Sequence, residues 1–140
     1  MIVDASVILR AFFPDEAQEQ AQWLIRDHVA GQLTLQAPSL LSYELCNAIW
    51  VAERRGRISR DQADEILQAI EDLNIRIQHL DWKELLPLAR QYNRTAYDAA
   101  YLALAQSNQQ PLITGDERLY NAVHKHLEWV LWIEDYHDEV

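Results

Sequence analysis

Cysteine, glycine, proline and lysine are all scarce in this 140-residue sequence. Cys46 is the only cysteine, which excludes an internal disulfide framework and favours a reducing compartment. No basic leader precedes Asp4, and no apolar run approaches the length that spans a membrane. Glycine and proline are too few to break up long stretches of regular structure. We therefore expect a soluble, cytoplasmic protein folded as one domain over residues 1–140.

Positive charge is also scarce. The formal net charge is −10 at pH 7, and of the 12 basic residues only Lys83 and Lys125 are lysines. This balance argues against a broadly basic nucleic-acid surface. It does not exclude a nucleic-acid substrate, because bound metal ions and local arginines can invert the potential inside a cleft.

Hydrophobic residues make up 49% of the chain, which is enough for a sizeable core. Short β-branched or alternating segments alternate with segments of helical period, which predicts five strands and about seven helices. The predicted strands are 1–3, 33–36, 75–80, 112–114 and 129–133. This alternation is typical of a parallel sheet covered by helices on both faces, so we expect an α/β fold.

Local signals predict where several helices begin and end. Ser6 is expected to cap the first helix, Ser59 the fourth, and Asp116 a helix that runs to about His126. Cys46 is expected in the core. The acidic segment 134–140 is expected to fray.

Asp98 is the only charged residue in segment 95–111, which is apolar almost all round and therefore predicts a buried helix. At helical spacing Asp98 shares a face with Tyr101, Leu102 and Ala105, so the acid continues an apolar stripe. A buried carboxylate is costly unless a cation or hydrogen bonds meet it. Asp98 therefore requires a partner.

Three further acids lie where ligands commonly bind. Asp4 ends the first predicted strand, Asp116 follows the fourth, and Glu44 lies beside the apolar stripe of a helix. Open α/β sheets bind ligands at the carboxyl ends of their strands. Four carboxylates gathered without a cation would repel one another, and oxygen ligands suit Mg²⁺ or Mn²⁺. Such an ion activates water and neutralises charge on a phosphoryl oxygen, so the indicated substrate is a phosphate ester.

Each acid also has a purely structural interpretation. Asp4 and Asp116 could cap the helices that follow them, and Asp98 could be a first-turn acid favoured by the helix dipole. Glu44 could be a solvated helix residue. The joint placement of the four acids favours a shared site.

Other chemistries find weaker support. His124 and His126 are two residues apart and do not share a helix face, which argues against a metal pair. There is no glycine-rich phosphate loop and no G-x-S-x-G motif. Trp129 and Trp132 are expected to pack rather than to stack on bases.

Four motifs in order resemble a known family. They are residues 3–6 (Val-Asp-Ala-Ser), 43–48 (Tyr-Glu-Leu-Cys-Asn-Ala), 97–105 (Tyr-Asp-Ala-Ala-Tyr-Leu-Ala-Leu-Ala) and 112–119 (Leu-Ile-Thr-Gly-Asp-Glu-Arg-Leu). Together they resemble a PIN domain, most of all the toxin ribonucleases of VapBC toxin–antitoxin pairs. The resemblance implies a three-layer α/β/α sandwich around a mainly parallel five-stranded sheet. It also implies a Mg²⁺- or Mn²⁺-dependent endoribonuclease.

The resemblance assigns roles to particular residues. The catalytic, metal-holding positions would be Asp4, Glu44, Asp98 and Asp116. The polar positions that support these acids would be Ser6, Asn47 and Thr114. Contacts to the RNA backbone are expected from Arg10, Arg94 and Arg118. Arg118 stands where some relatives carry a further acid, so the number of metal ions stays open.

The resemblance implies partners as well. These are an RNA substrate of the tRNA or ribosomal RNA class, a VapB-like antitoxin that covers the acidic groove, and a second copy of the chain. Two alternatives remain at this point. One is a PIN-fold binding module that acts in an antitoxin complex on operator DNA. The other is a phosphorylation-dependent receiver domain, which the opening Ile2-Val3-Asp4 fits loosely.

Overall fold

A five-stranded parallel sheet runs through the centre of the computed structural model, which describes residues 1–137. The strands are β1 (Ile2–Val3), β2 (Gln36–Pro38), β3 (Arg76–Gln78), β4 (Leu112–Thr114) and β5 (Val130–Trp132). Their order is β3-β2-β1-β4-β5, and each neighbouring pair is parallel. The predicted α/β fold with five strands is confirmed.

Seven α-helices connect or follow the strands within residues 1–137. They are α1 (Ala5–Phe12), α2 (Glu19–Val29), α3 (Leu40–Arg54), α4 (Arg60–Asp72), α5 (Leu85–Tyr92), α6 (Ala96–Asn108) and α7 (Glu117–Val123). Short 3₁₀ turns precede α5 at Trp82–Glu84 and follow β5 at Ile133–Asp135. In this part of the chain no helix combines the length and the apolarity needed to cross a membrane.

The helices cover both faces of the sheet because successive strand residues point in opposite directions. Val3 and Ile113 pack into one apolar cluster with α1, α2, α3 and α4. Ile2 and Leu112 pack into a second cluster with α5, α6 and α7. The result is the three-layer α/β/α sandwich that the resemblance implied.

The sheet changes its direction of winding between β1 and β4. From β1 the chain proceeds to β2 and β3 on one side, whereas β4 and β5 lie on the other. Val3 is level with Ile113, so the carboxyl ends of β1 and β4 lie side by side. Asp4 follows the end of β1 directly, and Asp116 lies two residues beyond the end of β4, at the position where such sheets bind ligands.

Helix ends differ from the predictions in two places. Asp4, rather than Ser6, caps α1, because the Asp4 carboxylate accepts the hydrogen bond of the Val7 N–H and Ser6 already lies inside the first turn. α7 ends at Val123, short of the predicted His126. Residues 138–140 of the acidic segment that was expected to fray lie outside the described residues.

Two further predictions were wrong for reasons of tertiary packing. β2 lies at Gln36–Pro38 instead of 33–36, because Gln36 pairs with Ile2 on one side and Arg76 on the other. Cys46 is exposed rather than buried. It follows Leu45, which belongs to the buried stripe of α3, and so falls on the outward side of the helix.

Candidate active site

Asp4 lies at the end of β1 and is 5% exposed. The Ser6 hydroxyl donates to its Oδ1 atom at 2.5 Å, and the Thr114 hydroxyl donates to its Oδ2 atom. Burial raises the pKa of the Asp4 carboxyl to about 6, although these hydrogen bonds act in the opposite direction. Asp4 is therefore both a helix cap and a desolvated carboxylate.

Ser6 and Thr114 tie the ends of β1 and β4 together. The Ser6 Oγ atom accepts the Gly115 N–H at 2.9 Å, and the Thr114 Oγ1 atom accepts the Asp116 N–H at 3.0 Å. Each hydroxyl therefore donates to Asp4 and accepts from the turn that carries Asp116. Both residues were predicted to support the acids, and the structure places both in contact with Asp4.

Asp116 is the N-cap of α7, as predicted. Its Oδ1 atom accepts the N–H groups of Arg118 at 3.0 Å and Leu119 at 3.3 Å. Among the described residues, no hydrogen bond ends on its Oδ2 atom. Because a carboxylate has two oxygens, Asp116 can cap its helix and keep one oxygen for a ligand.

Glu44 is held by a tyrosine from another helix. The Tyr101 hydroxyl on α6 donates to the Glu44 Oε1 atom at 2.5 Å, and Tyr101 itself is 2% exposed. Burial raises the pKa of Glu44, whereas the Tyr101 bond lowers it. Asn47, predicted to act beside Glu44, lies one turn further along α3 and is exposed.

Asp98 lies in the first turn of α6, where Thr95 is the N-cap. The Arg94 Nε–H donates to its Oδ2 atom at 3.1 Å, and the Arg94 Nη2 atom lies 3.0 Å from the same oxygen in an ion pair. Burial raises the pKa of Asp98, and Arg94 counteracts that rise. The first-turn interpretation of Asp98 is thus correct as local structure, and Arg94 is the cation that its half-buried carboxylate requires.

Asp4, Glu44 and Asp98 each lie within range of the Asp116 charge. Asp116 raises the pKa of Asp4, Glu44 and Asp98, in each case as an addition to the effect of burial. Asp98 also raises the pKa of Glu44. Segments far apart in the sequence thus bring four carboxylates to one edge of the sheet, with Arg94 as the cation bonded to one of them.

The profile of the PIN domain family matches residues 1–125. The chain belongs to the PIN domain family. It is 32% identical over 123 residues to Ribonuclease VapC3 of Pyrobaculum aerophilum, covering 85% of this chain and 91% of that protein. It is also 32% identical over 119 residues to Ribonuclease VapC1 of Mycobacterium tuberculosis, covering 84% and 86%.

A solved structure resembles this PIN domain over most of its length. The crystal structure of PAE2754 from Pyrobaculum aerophilum superposes with a TM-score of 0.72 at 25% identity, covering 95% of this chain and 83% of the other. The resemblance inferred from the four motifs is therefore confirmed, and a receiver domain is excluded.

The donor set of this PIN domain suits a hard divalent cation. All four acids offer carboxylate oxygens, and their mutual repulsion would be relieved by a bound dication. In residues 1–137, no three His, Cys, Asp or Glu side chains lie close enough to hold one ion directly. Glu44 is instead bonded to Tyr101, and Asp98 to Arg94.

The predicted RNA-contacting arginines have different surroundings in this PIN domain. Arg10 donates from Nη2 to the Gly115 carbonyl at 2.6 Å, and its guanidinium carbon lies 5.5 Å from the centre of a Trp132 ring. Arg10 therefore braces the turn after β4. Arg118 is exposed on α7, whereas Arg94 is engaged with Asp98.

Sequence reasoning missed the role of Tyr101. The signal was present, because a buried tyrosine hydroxyl usually finds a hydrogen-bond partner. Its helical position on the Asp98 face pointed towards the acids. The identity of the partner, 57 residues away at Glu44, could not be read from spacing.

Proposed function

We propose that this PIN domain is a metal-dependent endoribonuclease and the toxin of a type II toxin–antitoxin pair. The proposal rests mainly on the proximity of Asp4, Glu44, Asp98 and Asp116 at the edge of the sheet where the carboxyl ends of β1 and β4 lie side by side. The names of the relatives VapC3 and VapC1, both ribonucleases, support the same reaction. The reaction is hydrolysis of an RNA phosphodiester bond by water.

In this proposal the four acids would hold Mg²⁺ or Mn²⁺ partly through bound water, because in residues 1–137 no three of these side chains lie close enough to bind one ion directly. The bound ion would supply a water of lowered pKa and would neutralise charge on the scissile phosphate. Ser6 and Thr114 orient the Asp4 carboxylate through their hydroxyls. Asn47, exposed one turn from Glu44, would support that acid from the rim of the site.

The basic residues would act on the RNA backbone. Arg94 already lies at the acids, so its guanidinium can move from Asp98 to a substrate phosphate, which arginine binds in a bidentate manner. Arg118 is exposed on α7 and available for a second backbone contact. Arg10 is bonded to the Gly115 carbonyl, so it would contact RNA only while its guanidinium keeps that bond.

The proposed partners follow from the same reasoning. The substrate would be a structured RNA of the tRNA or ribosomal RNA class, read at its single-stranded loops. A VapB-like antitoxin would cover the acids with an arginine-bearing segment, which the net charge of −10 favours. The toxin would act in the cytoplasm as a homodimer.

RNA cleavage by the purified chain tests the proposal. Cleavage should require Mg²⁺ or Mn²⁺, and EDTA should abolish it. Loss of a residue that merely orients a metal ligand typically costs about 10–100-fold, so Asp98→Asn should cost at least about 100-fold. Asp64→Asn, an exposed acid on α4, is the matched control and should cut like the unaltered chain. Cleavage that resists EDTA and Asp98→Asn would overturn the proposal.

The RNA target needs a separate experiment. Mapping new RNA ends across the transcriptome, after expression of the chain without its antitoxin, should reveal cleavage at a small number of loops. The same map from cells that express Asp98→Asn should lack these ends.

A further inference from the structure

Trp82 and Tyr97 are exposed aromatic side chains that the proposed chemistry does not use. Trp82 is 81% exposed and Tyr97 is 64% exposed. Large apolar side chains left in water together commonly mark a binding surface. Both residues line one recess of about 230 Å³, which we call the aromatic recess; its other residues include Pro38, Ser39, Gln78 and His79.

The aromatic recess lies at the same edge of the sheet as the acids. Pro38 and Gln78 are the last residues of β2 and β3, so the recess is built on the carboxyl ends of these strands. Since Ile2 pairs with Gln36 in parallel, continuing that register places Pro38 level with Asp4. Neighbouring strands are about 4.8 Å apart, so the recess begins one strand away from Asp4.

Helix α6 forms a wall shared by the aromatic recess and the acid site. Tyr97 and Ala100 line the recess. Asp98 follows Tyr97 in the chain and is one of the four acids. Tyr101 follows Ala100 and belongs to the acid site through its bond to Glu44. A polymer bound with one phosphate at the acids would therefore place its neighbouring unit at the aromatic recess.

We propose that the aromatic recess binds an unpaired RNA base next to the scissile phosphate, stacked against Trp82 and Tyr97. This inference rests on the proposed function, since it extends the same substrate beyond the acids. Stacking on aromatic side chains is the common means of holding single-stranded RNA, and it tolerates every base.

Polar groups lie among the mostly apolar residues of the aromatic recess, and they can bond a nucleotide. The Ser39 hydroxyl makes no capping bond to α3, and the His79 side chain is exposed, so both can bond the edge of a base. Lys83 lies in the adjoining recess with Trp82 and Asp81. The Asp81 carboxylate accepts the backbone N–H of Lys83 at 3.0 Å. The Lys83 ammonium is a cation beside Trp82, with the acids Asp81 and Glu84 close to it in the sequence.

Binding without cleavage separates this site from the reaction. The full chain carrying Asp116→Asn, whose amide can still cap α7, is titrated in Mg²⁺ with two labelled probes. One probe is a short single-stranded oligoadenylate, and the other is a sugar–phosphate oligomer of equal charge without bases. Fluorescence anisotropy gives the affinity for each. The recess predicts a clear preference for the probe with bases.

Further substitutions in this background identify the source of the preference. Trp82→Ala or Tyr97→Ala should weaken oligoadenylate binding by about 5- to 100-fold and leave the base-free probe unchanged. Trp82→Phe should restore most of the preference. Trp50→Ala, an exposed tryptophan on α3 outside the recess, is the matched control and should change neither affinity.

Three results would overturn the inference. They are equal affinity for the two probes, equal weakening of both by Trp82→Ala, and conversion of a dimer to a monomer by Trp82→Ala, which would make this surface a subunit interface. Cleavage assays on the unaltered chain report on the proposed function separately. If the chain cuts no RNA but keeps the Trp82-dependent preference, the site stands and the ribonuclease proposal fails.

Discussion

The Asp4 carboxyl combines a pKa raised to about 6 by burial with hydrogen bonds from Ser6 and Thr114. These bonds keep the side chain in one orientation, although within residues 1–137 no cation forms an ion pair with it. In the absence of metal, ionisation of Asp4 is less favourable in the folded protein than in the unfolded chain. Asp4 is therefore the residue at which the folding of this protein and its proposed metal binding are most directly coupled.

The raised pKa of Asp4 predicts how stability changes with pH. The folded pKa of about 6 exceeds the ordinary value of 3.8, so the folded state binds more protons between these values. The resulting stabilisation is fully present below about pH 4 and is lost as the pH rises through 6. In EDTA, the unfolding free energy of the unaltered chain, measured relative to Asp4→Asn, should fall by on the order of 3 kcal/mol between pH 4 and 7.

Denaturant unfolding at a series of pH values measures this difference. Glu44 and Asp98 titrate in both proteins, so the comparison isolates Asp4. Parallel curves for the two proteins would show that the Asp4 carboxyl is not desolvated.

The Tyr101–Glu44 bond predicts a shift in the pH profile of RNA cleavage. Because the Tyr101 hydroxyl lowers the pKa of Glu44, Tyr101→Phe should raise that pKa further and move the acid limb of the profile to higher pH. Loss of the bond should also cost about 1–3 kcal/mol of stability. Tyr92→Phe, at the end of α5, is the control, and identical profiles for both variants would remove the role given to Tyr101.

At the residue scale, the sequence predicts the acids better than it predicts their partners. Asp98 was identifiable because it is the only charge in an apolar helix. Its partner Arg94 lies before the N-cap Thr95, so helical spacing does not predict this ion pair. The bond between Tyr101 and Glu44 joins α6 to α3 and depends on the packed fold. Spacing alone cannot indicate such a contact.

At the scale of elements, helix caps of two kinds can be distinguished. Ser59 and Gln62 form a reciprocal capping box at the start of α4, away from the acids. Asp116 caps α7 with one oxygen, and the proposal requires its other oxygen for metal. Substitution of Ser59 should therefore change stability alone, and substitution of Asp116 should change the reaction.

Substitutions at these two caps should give opposite results. Ser59→Ala should lower stability by about 1 kcal/mol and leave RNA cleavage unchanged. Asp116→Asn should keep most of the stability, because asparagine also caps helices, and should lose cleavage. Thermal unfolding and a cleavage assay on both variants measure this. If Asp116→Asn cut RNA normally, Asp116 would be a cap and nothing more.

The sequence predicts the number and order of elements well, and their ends less well. The predicted bounds of β4 match the observed ones because Leu112-Ile113-Thr114 is a short run typical of a strand and Gly115 marks the turn after it. β2 was displaced because the alternation in 33–36 resembles a strand, whereas pairing with β1 and β3 selects Gln36–Pro38. Propensity describes the segment alone, and the register of a sheet depends on its neighbours.

At the scale of the whole molecule, an acidic protein is proposed to act on a polyanion. The net charge of −10 opposes RNA binding, and two of the predicted arginines are occupied by Asp98 and Gly115. A divalent ion at the acids would reverse the local potential where it matters for the substrate. The fold contributes by bringing four distant segments to one edge of the sheet.

We propose that Asp4, Glu44, Asp98 and Asp116 together bind one or two divalent ions. The most direct measurement is titration of the metal-free chain with Mn²⁺, followed by the electron paramagnetic resonance signal of the free ion. We predict binding that weakens at least about tenfold in each of Asp98→Asn and Asp116→Asn and is unchanged in Asp64→Asn. Mn²⁺ that stays free in the presence of the unaltered chain, or binds all three variants equally, would contradict the account.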